Sequence, residues 1–406
     1  MLKKIKKVKK CLLCGNTHLK SLFDIGNLYV SNFVDKKNIF NGTKSKLNLL
    51  YCHKCTLIQL SHLAPQEIMY RRFYWYKSGV TKTMREGLKE LHLDCVKKAK
   101  LKRDDVVLDI GANDGTLLKY FKNKKFKTIG CDPANNLKLE LKKNSDHVIN
   151  NFWSRQELFK ILKKHNLKKP KLITAIGMFY DLEDPNKFIK DAADSLDDNG
   201  IFVAQLMSFK SMIDKNDLGN ICHEHIEFYS FKSIQYLFEK NGLEIFKIAT
   251  NDINGGSHRF YCRKYRNGSI KLPKENILKM MKDFVYRVKE NRKITLNFIN
   301  KQIKKNKQIF LYGASTKGNT VLQYYGLNKR IIPYAAERSP FKWGKYTIGT
   351  GIKIISEKKA KKLKPDFFFV TPWGFIKEFI KREKNWLNNG GKFILPFPKM
   401  KIIGKK

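Results

Sequence analysis

Three groups of residues in this 406-residue chain have the types and the spacing that chemistry requires. Cys11, Cys14, Cys52 and Cys55 form two C-x-x-C pairs, which are typical of a metal site. A glycine-rich segment at 109–115 is typical of a cofactor loop. The segment 221–230 combines two histidines with two glutamates, the residue types that move protons.

The four paired cysteines predict a closed tetrahedral zinc site, because four thiolates leave the metal no open position. Such a site is structural rather than catalytic, and Gly15 follows the first pair where a sharp turn is needed. In a reducing cytosol, paired C-x-x-C units favour a metal over disulfides. His18, His53 and His62 lie nearby in sequence, but four thiols complete the site without them. The alternative is four unconnected thiols.

The glycine-rich segment follows an apolar run and reads Gly111-x-Asn113-x-Gly115, and the acidic residue Asp132 ends the next predicted strand. In doubly wound folds a carboxylate at that point holds a ribose diol. The spacing differs from the G-x-G-x-x-G of dinucleotide binders, and the charge of Asp114 near a helix N-terminus disfavours a diphosphate. S-adenosylmethionine, with its sulfonium and ammonium groups, is therefore preferred over NAD. The alternative is a turn that only packs strand on helix. The residues expected to bind the cofactor are Asp109, Gly111, Asn113, Gly115, Asp132, Pro133 and Phe179.

The histidine-rich segment allows three interpretations. It could be a capping and packing cluster before the helix that follows Ser230, or a metal site, although it lacks the H-E-x-x-H spacing. It could also hold a general base that removes a proton next to a carbonyl before methyl transfer to carbon, for which a histidine is well suited. In an extended chain, His223 and His225 would face one side and Glu224 the other.

Two further turns have sequences that suit a ligand. Gly313 to Asn319 follows a predicted strand and opens a helix, so its amides and Lys317 could hold a phosphate, although it is not a Walker A loop. Asn254-Gly-Gly-Ser257 could let the backbone approach a ligand. For both segments the alternative is an ordinary turn. The residues expected to bind substrate are Lys317, Ser315, Asn254 and Gly255.

Strands alternate with helices from Asp104 onward, which predicts an α/β fold with a parallel sheet covered on both faces. Two late segments, 243–249 and 258–263, are expected to pair as an antiparallel edge. We expect a loop-rich zinc-binding domain at 1–75, a methyltransferase domain at 76–270 and a smaller α/β domain at 271–406. The pattern of apolar residues from Thr81 to Lys100 predicts an amphipathic helix. The pattern from Glu275 to Lys305 predicts a long charged helix or a pair of helices.

Composition limits the classes of function. The chain is 42% apolar and 12% aromatic, which is globular, and no apolar run approaches the roughly 18 residues of a membrane span. The basic N-terminus lacks the apolar region of a secretory signal, so we expect a cytoplasmic enzyme. The net charge of +46 fits a lysine-rich proteome, nucleic-acid binding, or a small anionic substrate. Because basic and aromatic residues do not interleave, nucleic acid is not expected as a partner.

With these motifs in collinear order, the chain resembles the sugar C-methyltransferases of deoxysugar biosynthesis. The likeness covers nearly the whole chain. The segments that carry it are the paired C-x-x-C units, Phe73 to Thr81, Val107 to Thr116, Met178 to Pro185, Ile221 to His225, Asn254 to Ser257, Tyr312 to Asn319 and Gly391 to Pro396.

The resemblance implies a zinc domain, a class I (Rossmann-like) methyltransferase core and a C-terminal Rossmann-like α/β domain. It implies that His225 is the base, with Glu224 beside it, and that Tyr76 lies near the methyl donor. A nucleotide sugar would bind between the central and C-terminal domains. Cys222 stands where some members carry tyrosine, which puts the sugar position in question. Two rival hypotheses are a nucleic-acid methyltransferase and a non-catalytic zinc-containing interaction protein. The sequence predicts no oligomeric state.

Overall fold

The computed structural model describes residues 5–71 and 73–404, except for the side chain of Asn254. The strands β1 to β21 of this part of the chain are Lys6–Lys7, Leu19–Tyr29, Phe33–Val34, Lys44–Cys52, Ile58–Leu60, His62–Leu63, Val106–Ile110, Lys127–Cys131, His147–Ile149, Leu172–Ile176, Ile201–Met207, Glu227–Phe228, Leu243–Asn251, Ser257–Lys264, Ile309–Tyr312, Tyr334–Glu337, Tyr346–Thr347, Lys353–Ser356, Phe367–Val370, Lys392–Leu395 and Lys401–Ile403. The helices α1 to α12 are Lys82–Lys98, Thr116–Lys122, Lys138–Asn144, Arg155–Lys164, Pro185–Ser195, Phe209–Asp214, Phe231–Lys240, Ile277–Ile303, Thr316–Tyr325, Glu357–Lys362, Ile376–Arg382 and Lys384–Asn388.

The central sheet has seven strands in the order β13-β14-β11-β10-β7-β8-β9. The five strands from β11 to β9 run parallel, and β14 runs antiparallel to both of its neighbours. All five residues of β7 are buried, as expected for a strand covered on both faces. The predicted parallel sheet and its antiparallel edge are therefore confirmed.

Local capping explains where the helices around this sheet begin. The side chain of Thr81 accepts a hydrogen bond from the Met84 amide at the start of α1, and Asp184 accepts one from Lys187 at the start of α5. Pro185 is the first residue of α5, where a missing N–H costs nothing. The predicted helices at 81–100 and 275–305 correspond to α1 and α8.

The prediction of a loop-rich N-terminal region is wrong. β2 and β4 are long antiparallel strands of 11 and 9 residues, and they form a four-stranded sheet in the order β12-β5-β4-β2. The inward positions of β4 are Ser45, Leu47, Leu49 and Tyr51, all buried. A serine at the first inward position and two bulges in the pairing obscure the two-residue period in the sequence.

The C-terminal sheet has eight strands in the order β21-β20-β19-β15-β16-β18-β17-β3. Its β3 strand comes from the N-terminal region and pairs antiparallel with β17. In return, β12 of the central region pairs antiparallel with β5 of the N-terminal sheet. The N-terminal and C-terminal sheets each thus include a strand from another part of the chain, and these strands hold the three larger sheets together.

Among the described residues, none of the helices combines the length and the apolar character that crossing a bilayer requires.

The long helix α8 packs against the N-terminal sheet, and this contact gives a first prediction. Phe284 is fully buried and meets the ring of Phe23 edge to face at 6.3 Å, whereas Tyr286 on the same helix is 67% exposed. Phe284→Ala should lower the free energy of unfolding by about 3–5 kcal/mol because it removes a buried ring and leaves a cavity. Tyr286→Ala, the matched control, should change it by about 0.5 kcal/mol or less. Urea unfolding measures both, and equal losses would contradict the packing described here.

Candidate active site and metal centre

The loop after β7 needs glycine at its first position. Gly111 has φ +75°, and a Cβ there would lie 2.5 Å from Cγ of Met178. Its amide donates to the carbonyl oxygen of Cys131 at the end of β8. Gly115, at φ +75°, would bring a Cβ within 2.8 Å of Cβ of Asn144. A Cβ at either position would force its neighbours to shift, and of the two glycines Gly111 places its backbone in the wall of the cavity described below.

Asp132 follows β8 and lies across from this loop. Its two carboxylate oxygens accept hydrogen bonds from the backbone amides of Asn113 and Ala134, each at 2.8 Å. Burial raises the pKa of Asp132, and the two amides act in the opposite direction. A carboxylate has about four acceptor sites, so two remain for a ligand such as a diol. The next residue, Pro133, also lines the cavity.

Asn113 and Asp114 fasten a neighbouring segment to the loop. The Asn113 side chain donates to the carbonyl oxygen of Tyr76 and accepts from the amide of Ser78. Asp114 accepts from the amide of Gly79 and from the hydroxyl of Thr116. Both carboxylate oxygens of Asp114 are therefore engaged, one by the segment that contains Gly79 and one by the start of α2.

A cavity of about 320 Å³ opens between these loops, and we call it the first cavity. Asn151, Phe152 and Trp153, which follow β9, form one wall, and Met178 lies beside Gly111. Sequence reasoning missed these residues because a loop after a short third strand carries no pattern of its own. Phe179, predicted to bind the cofactor, is fully buried among aromatic rings that include Phe188 and Phe238, and it does not line the cavity.

A second cavity of about 140 Å³ adjoins the first. The residues that line both are Tyr74, Tyr76, Ser78, Gly111, Ile176, Gly177 and Asp181. His225, Glu224, Thr316 and Lys317 lie in the wall of the second cavity, as does Asp109. Asp109 accepts a 2.6 Å hydrogen bond from the hydroxyl of Thr174, and burial raises its pKa to about 7.

His225 is buried and its ring is held in one orientation. Nδ1 lies 2.8 Å from the carbonyl oxygen of Asn220, so Nδ1 carries the proton and donates it. The ring of Tyr180 packs edge to face against the imidazole at 4.4 Å. Burial, and then the charge of Lys317, lower the pKa of His225 well below its ordinary value. The ring is therefore neutral near neutral pH, with Nε2 as a free base.

The segment is not extended, because 222–225 forms a turn in which the His225 amide donates to the carbonyl oxygen of Cys222. His223 donates from Nε2 to the carbonyl oxygen of Ser45 in the N-terminal sheet and does not line either cavity. Glu224, by contrast, lies on the same side as His225 and accepts a hydrogen bond from Thr316 at 3.0 Å. Burial raises the pKa of Glu224. Among the residues that the structure describes, the four paired cysteines are the one group of three or more His, Cys, Asp or Glu side chains placed closely enough to hold a metal ion.

The expected capping role of Ser230 is also present. Its hydroxyl accepts from the amide of Ser233 at the start of α7.

The C-terminal turn brings Lys317 to the second cavity, where its Nζ donates to Oδ1 of Asn220 at 2.7 Å. Ser315 uses its hydroxyl to cap α9, accepting from the Gly318 amide, and it does not line either cavity. Gly255 packs against Trp373, where a Cβ would lie 2.9 Å from the indole ring. The predicted side chain of Asn254 lies outside the described residues.

Glu337 was not predicted, although its signal was present. It ends β16, the second strand of the C-terminal α/β unit, as Asp132 follows the second strand of the central one. Its carboxylate accepts from the amides of Ala314 and Ser339, both at 2.9 Å. The amide of Gly313 donates to the strand carbonyl of Ala336, as Gly111 does to Cys131. The same arrangement of hydrogen bonds thus occurs after the second strand of both α/β units.

The four thiols of Cys11, Cys14, Cys52 and Cys55 meet at one point, all within 4.8 Å of one another. Cys11 and Cys55 are 3.4 Å apart, and Cys14 and Cys52 are 3.5 Å apart. The hydrogen bond between Cys11 and Cys55 lowers the pKa of Cys11 and raises that of Cys55, as expected when two thiols share one proton. Gly15 follows at φ +73°. This donor set fits zinc, with all four positions taken by the protein.

Comparisons with known proteins agree with this geometry. Family models match a zinc binding domain at 11–70, a methyltransferase domain at 80–248 and a C-methyltransferase C-terminal domain at 252–398. C-methyltransferase NovU of Streptomyces niveus is 24% identical over 413 residues, covering 98% of both chains.

Two solved structures are also similar to this chain. The magnesium protoporphyrin IX methyltransferase of Synechocystis with bound SAH is 11% identical, with TM-score 0.36 and coverage of 47% of this chain and 90% of that one. A protein from Pyrococcus horikoshii is 15% identical, with TM-score 0.36 and coverage of 47% and 95%.

The seven-stranded sheet, its glycine loop and the methyltransferase domain match define a class I S-adenosylmethionine-dependent methyltransferase. In the chain, this core lies between a region that matches a zinc binding domain and a region that matches a C-methyltransferase C-terminal domain. The predictions of S-adenosylmethionine as cofactor and of a structural zinc are confirmed.

The zinc site gives a second prediction. Cys14→Ala should remove most of the bound zinc and lower the thermal midpoint of unfolding, because a structural zinc contributes on the order of 10 kcal/mol to a small domain. Cys95→Ala is the matched control, since Cys95 is buried in α1 away from the cluster. Metal analysis and thermal unfolding measure the two effects. Full zinc content in the Cys14 variant would contradict a four-thiolate site.

The cofactor loop gives a third prediction. Gly111→Ala should weaken S-adenosylmethionine binding at least about tenfold, because the new methyl group forces the loop and Met178 apart. Gly242→Ala carries a similar backbone cost at φ +86° but meets nothing within 4 Å, so its affinity should be unchanged. Calorimetric titration measures both, and equal affinities would separate Gly111 from the cofactor.

Proposed function

We propose that this enzyme transfers a methyl group to the carbon next to a ketone on a nucleotide-linked deoxysugar, with His225 as the general base. The observation that carries the proposal is the free Nε2 of His225, in a cavity that shares a wall with the cofactor cavity. A carbon atom is a poor nucleophile until a base removes its proton. A neutral histidine beside the methyl donor meets that need.

The cofactor is assigned to the first cavity. We propose that Asp132 holds its ribose hydroxyls and that Gly111 and Asn113 form the floor beneath it. Gly115 opens α2, and Asp109 supports the loop from below, through its hydrogen bond with Thr174. S-adenosylmethionine supplies an electrophilic methyl group on a sulfonium. Phe179 acts from the core, since Met178 rather than Phe179 reaches the cavity.

The acceptor is assigned to the second cavity, with its nucleotide on the C-terminal side. Lys317 is a cation in the cavity wall, suited to the anionic diphosphate of a nucleotide sugar. The crevice at Gly313 and Glu337 repeats the hydrogen bonds of the cofactor crevice, which supports a nucleoside on that side. Ser315 contributes by starting α9, whose N-terminus adds a positive dipole. Gly255 forms the opposite rim against Trp373.

Two further side chains have proposed roles. Glu224 stabilises the imidazolium that forms on His225 by its negative charge. The hydrogen bond from Thr316 and the positive charges of Lys317 and Lys342 favour that charged form of Glu224. Tyr76, partly exposed and present in both walls, orients the two ligands at their junction. We further propose that the functional division falls near the predicted bounds, with zinc binding at 1–75, methyl donor binding at 76–270 and nucleotide binding at 271–406.

The base assignment gives a fourth prediction. His225→Asn should lower kcat by about 10²–10⁴-fold, because a positioned general base contributes that much, while affinity for S-adenosylmethionine stays unchanged. His223→Asn is the neighbouring control, since its ring bonds to Ser45 rather than facing a cavity, and it should keep most of the turnover. Methyl transfer to thymidine and uridine diphosphate-4-keto-6-deoxyhexoses is the measurement.

The pH profile adds a check on the same residue. Because the folded-state pKa of His225 lies well below the ordinary value of about 6.5, the base form persists as the pH falls through that value. Activity should therefore stay flat through the neutral range and decline only in more acidic solution. Wild-type turnover by the His225 variant would overturn the assignment.

A further inference from the structure

Asp181 is a buried carboxyl group at the junction of the two cavities. It ends a short helical turn after β10, where its amide donates to the carbonyl oxygen of Met178. Its own carbonyl oxygen accepts from the side chain of Gln66 at 2.9 Å. The backbone on both sides is thus fixed, and it holds the side chain in the wall that the two cavities share.

One oxygen of this carboxyl group, Oδ1, lacks a hydrogen-bond partner among the described residues. Asp181 is 8% exposed, and in the described part of the chain its Oδ1 is buried without a hydrogen bond. The nearby phenol of Tyr70 has one proton, which it donates to the carbonyl oxygen of Glu224. A buried carboxylate without partners is costly, so this group is either neutral or completed by a ligand.

Its surroundings decide between the two charge states. Glu224 is the second carboxyl group of the site, and it has the Thr316 hydroxyl and the charges of Lys317 and Lys342 to balance it. Burial and then the charge of Glu224 raise the pKa of Asp181 well above its ordinary value, while the charge of Lys317 and a hydrogen bond with Tyr70 act in the opposite direction and are outweighed. When two carboxyl groups share a site, the better-solvated one keeps the charge and the other keeps the proton.

The phenols around Asp181 do not change this conclusion. Tyr70, Tyr74 and Tyr180 surround the junction, and burial raises the pKa of each well above its ordinary value. They are therefore neutral and contribute no positive charge that would favour a carboxylate at Asp181.

We propose that Asp181 is a neutral carboxylic acid that donates a hydrogen bond to the carbonyl oxygen of the keto substrate and stabilises the enolate oxygen. The inference rests on the proposed function, because it needs a ketone in the second cavity. When Nε2 of His225 takes the proton from carbon, the C–H electron pair forms a carbon–carbon double bond. The carbonyl π pair moves onto oxygen. The Asp181 hydroxyl donates a hydrogen bond to this oxygen and keeps its own proton.

The test separates proton removal from methyl transfer. With no S-adenosylmethionine present, the enzyme in D₂O should exchange the proton next to the ketone of thymidine or uridine diphosphate-4-keto-6-deoxyhexose, and proton NMR follows the loss. Asp181→Leu, of similar size but without a donor, should slow exchange about 100-fold or more, as loss of one such donor does. Asp181→Asn keeps an N–H donor and should stay within about tenfold of wild type. Asp214→Asn, on the exposed end of α6, is the control and should match wild type.

Calorimetry with S-adenosylmethionine completes the design. All three variants should bind it as wild type does. Wild-type exchange by Asp181→Leu would overturn the inference while leaving the base assignment in place. Equal losses in Asp181→Asn and Asp181→Leu, together with weaker cofactor binding, would show that the group acts as an anion and would overturn it too. Absence of exchange in the wild-type enzyme would overturn the proposed function, and this inference with it.

A second readout does not depend on the substrate. In protein labelled with ¹³C at aspartate carboxyl groups, the resonance that is missing in Asp181→Asn belongs to Asp181. Its chemical shift should be that of a protonated carboxyl near neutral pH, and a carboxylate shift would contradict the proposal.

Discussion

The hydrogen bond from Nδ1 of His225 to the carbonyl oxygen of Asn220 is the contact on which the proposed chemistry of this site depends. It fixes the tautomer, and a fixed tautomer leaves one ring nitrogen available as a base. The side chain of Asn220 accepts a hydrogen bond from Lys317 and donates one to Asp217. Asn220 therefore orients the proposed base, His225, and also contacts Lys317, the cation proposed to bind the diphosphate. Burial lowers the pKa of His225 and so keeps its imidazole neutral at the place where we propose that the methyl acceptor loses a proton.

The fold serves this contact by holding three sheets together. The strand β12 follows His225 directly and pairs with β5 beside the zinc site, while β3 of the N-terminal region completes the C-terminal sheet. We therefore expect the zinc site to support β12 indirectly, because the zinc site holds the N-terminal sheet with which β12 pairs. A closed four-thiolate site, with no open position on the metal, suits such a structural role. The cofactor crevice and the crevice at Glu337 share one hydrogen-bond plan, in which a carboxylate at a strand end accepts two loop amides.

The sequence predicted those features that depend on local pattern. The alternation of strands and helices, the glycine loop after β7 and the cysteine spacing each follow from residues close in the chain, and these predictions hold. The sequence did not predict the features that depend on contacts between distant parts of the chain. The long strands β2 and β4 have no clear two-residue period, because Ser45 is buried and two bulges interrupt their pairing. The turn at 222–225 put Glu224 beside His225, and only the fold shows that Asp181 lies between the two cavities.

The protonation state of His225 tests the central claim most directly. A ¹⁵N NMR spectrum of histidine-labelled enzyme, compared with that of the His225→Asn variant, identifies the two ring nitrogens of this residue. The account predicts a neutral ring near neutral pH, with the proton on Nδ1 and Nε2 bare. An imidazolium, or a neutral ring with its proton on Nε2, would contradict it, because neither form could accept a proton from carbon in the second cavity.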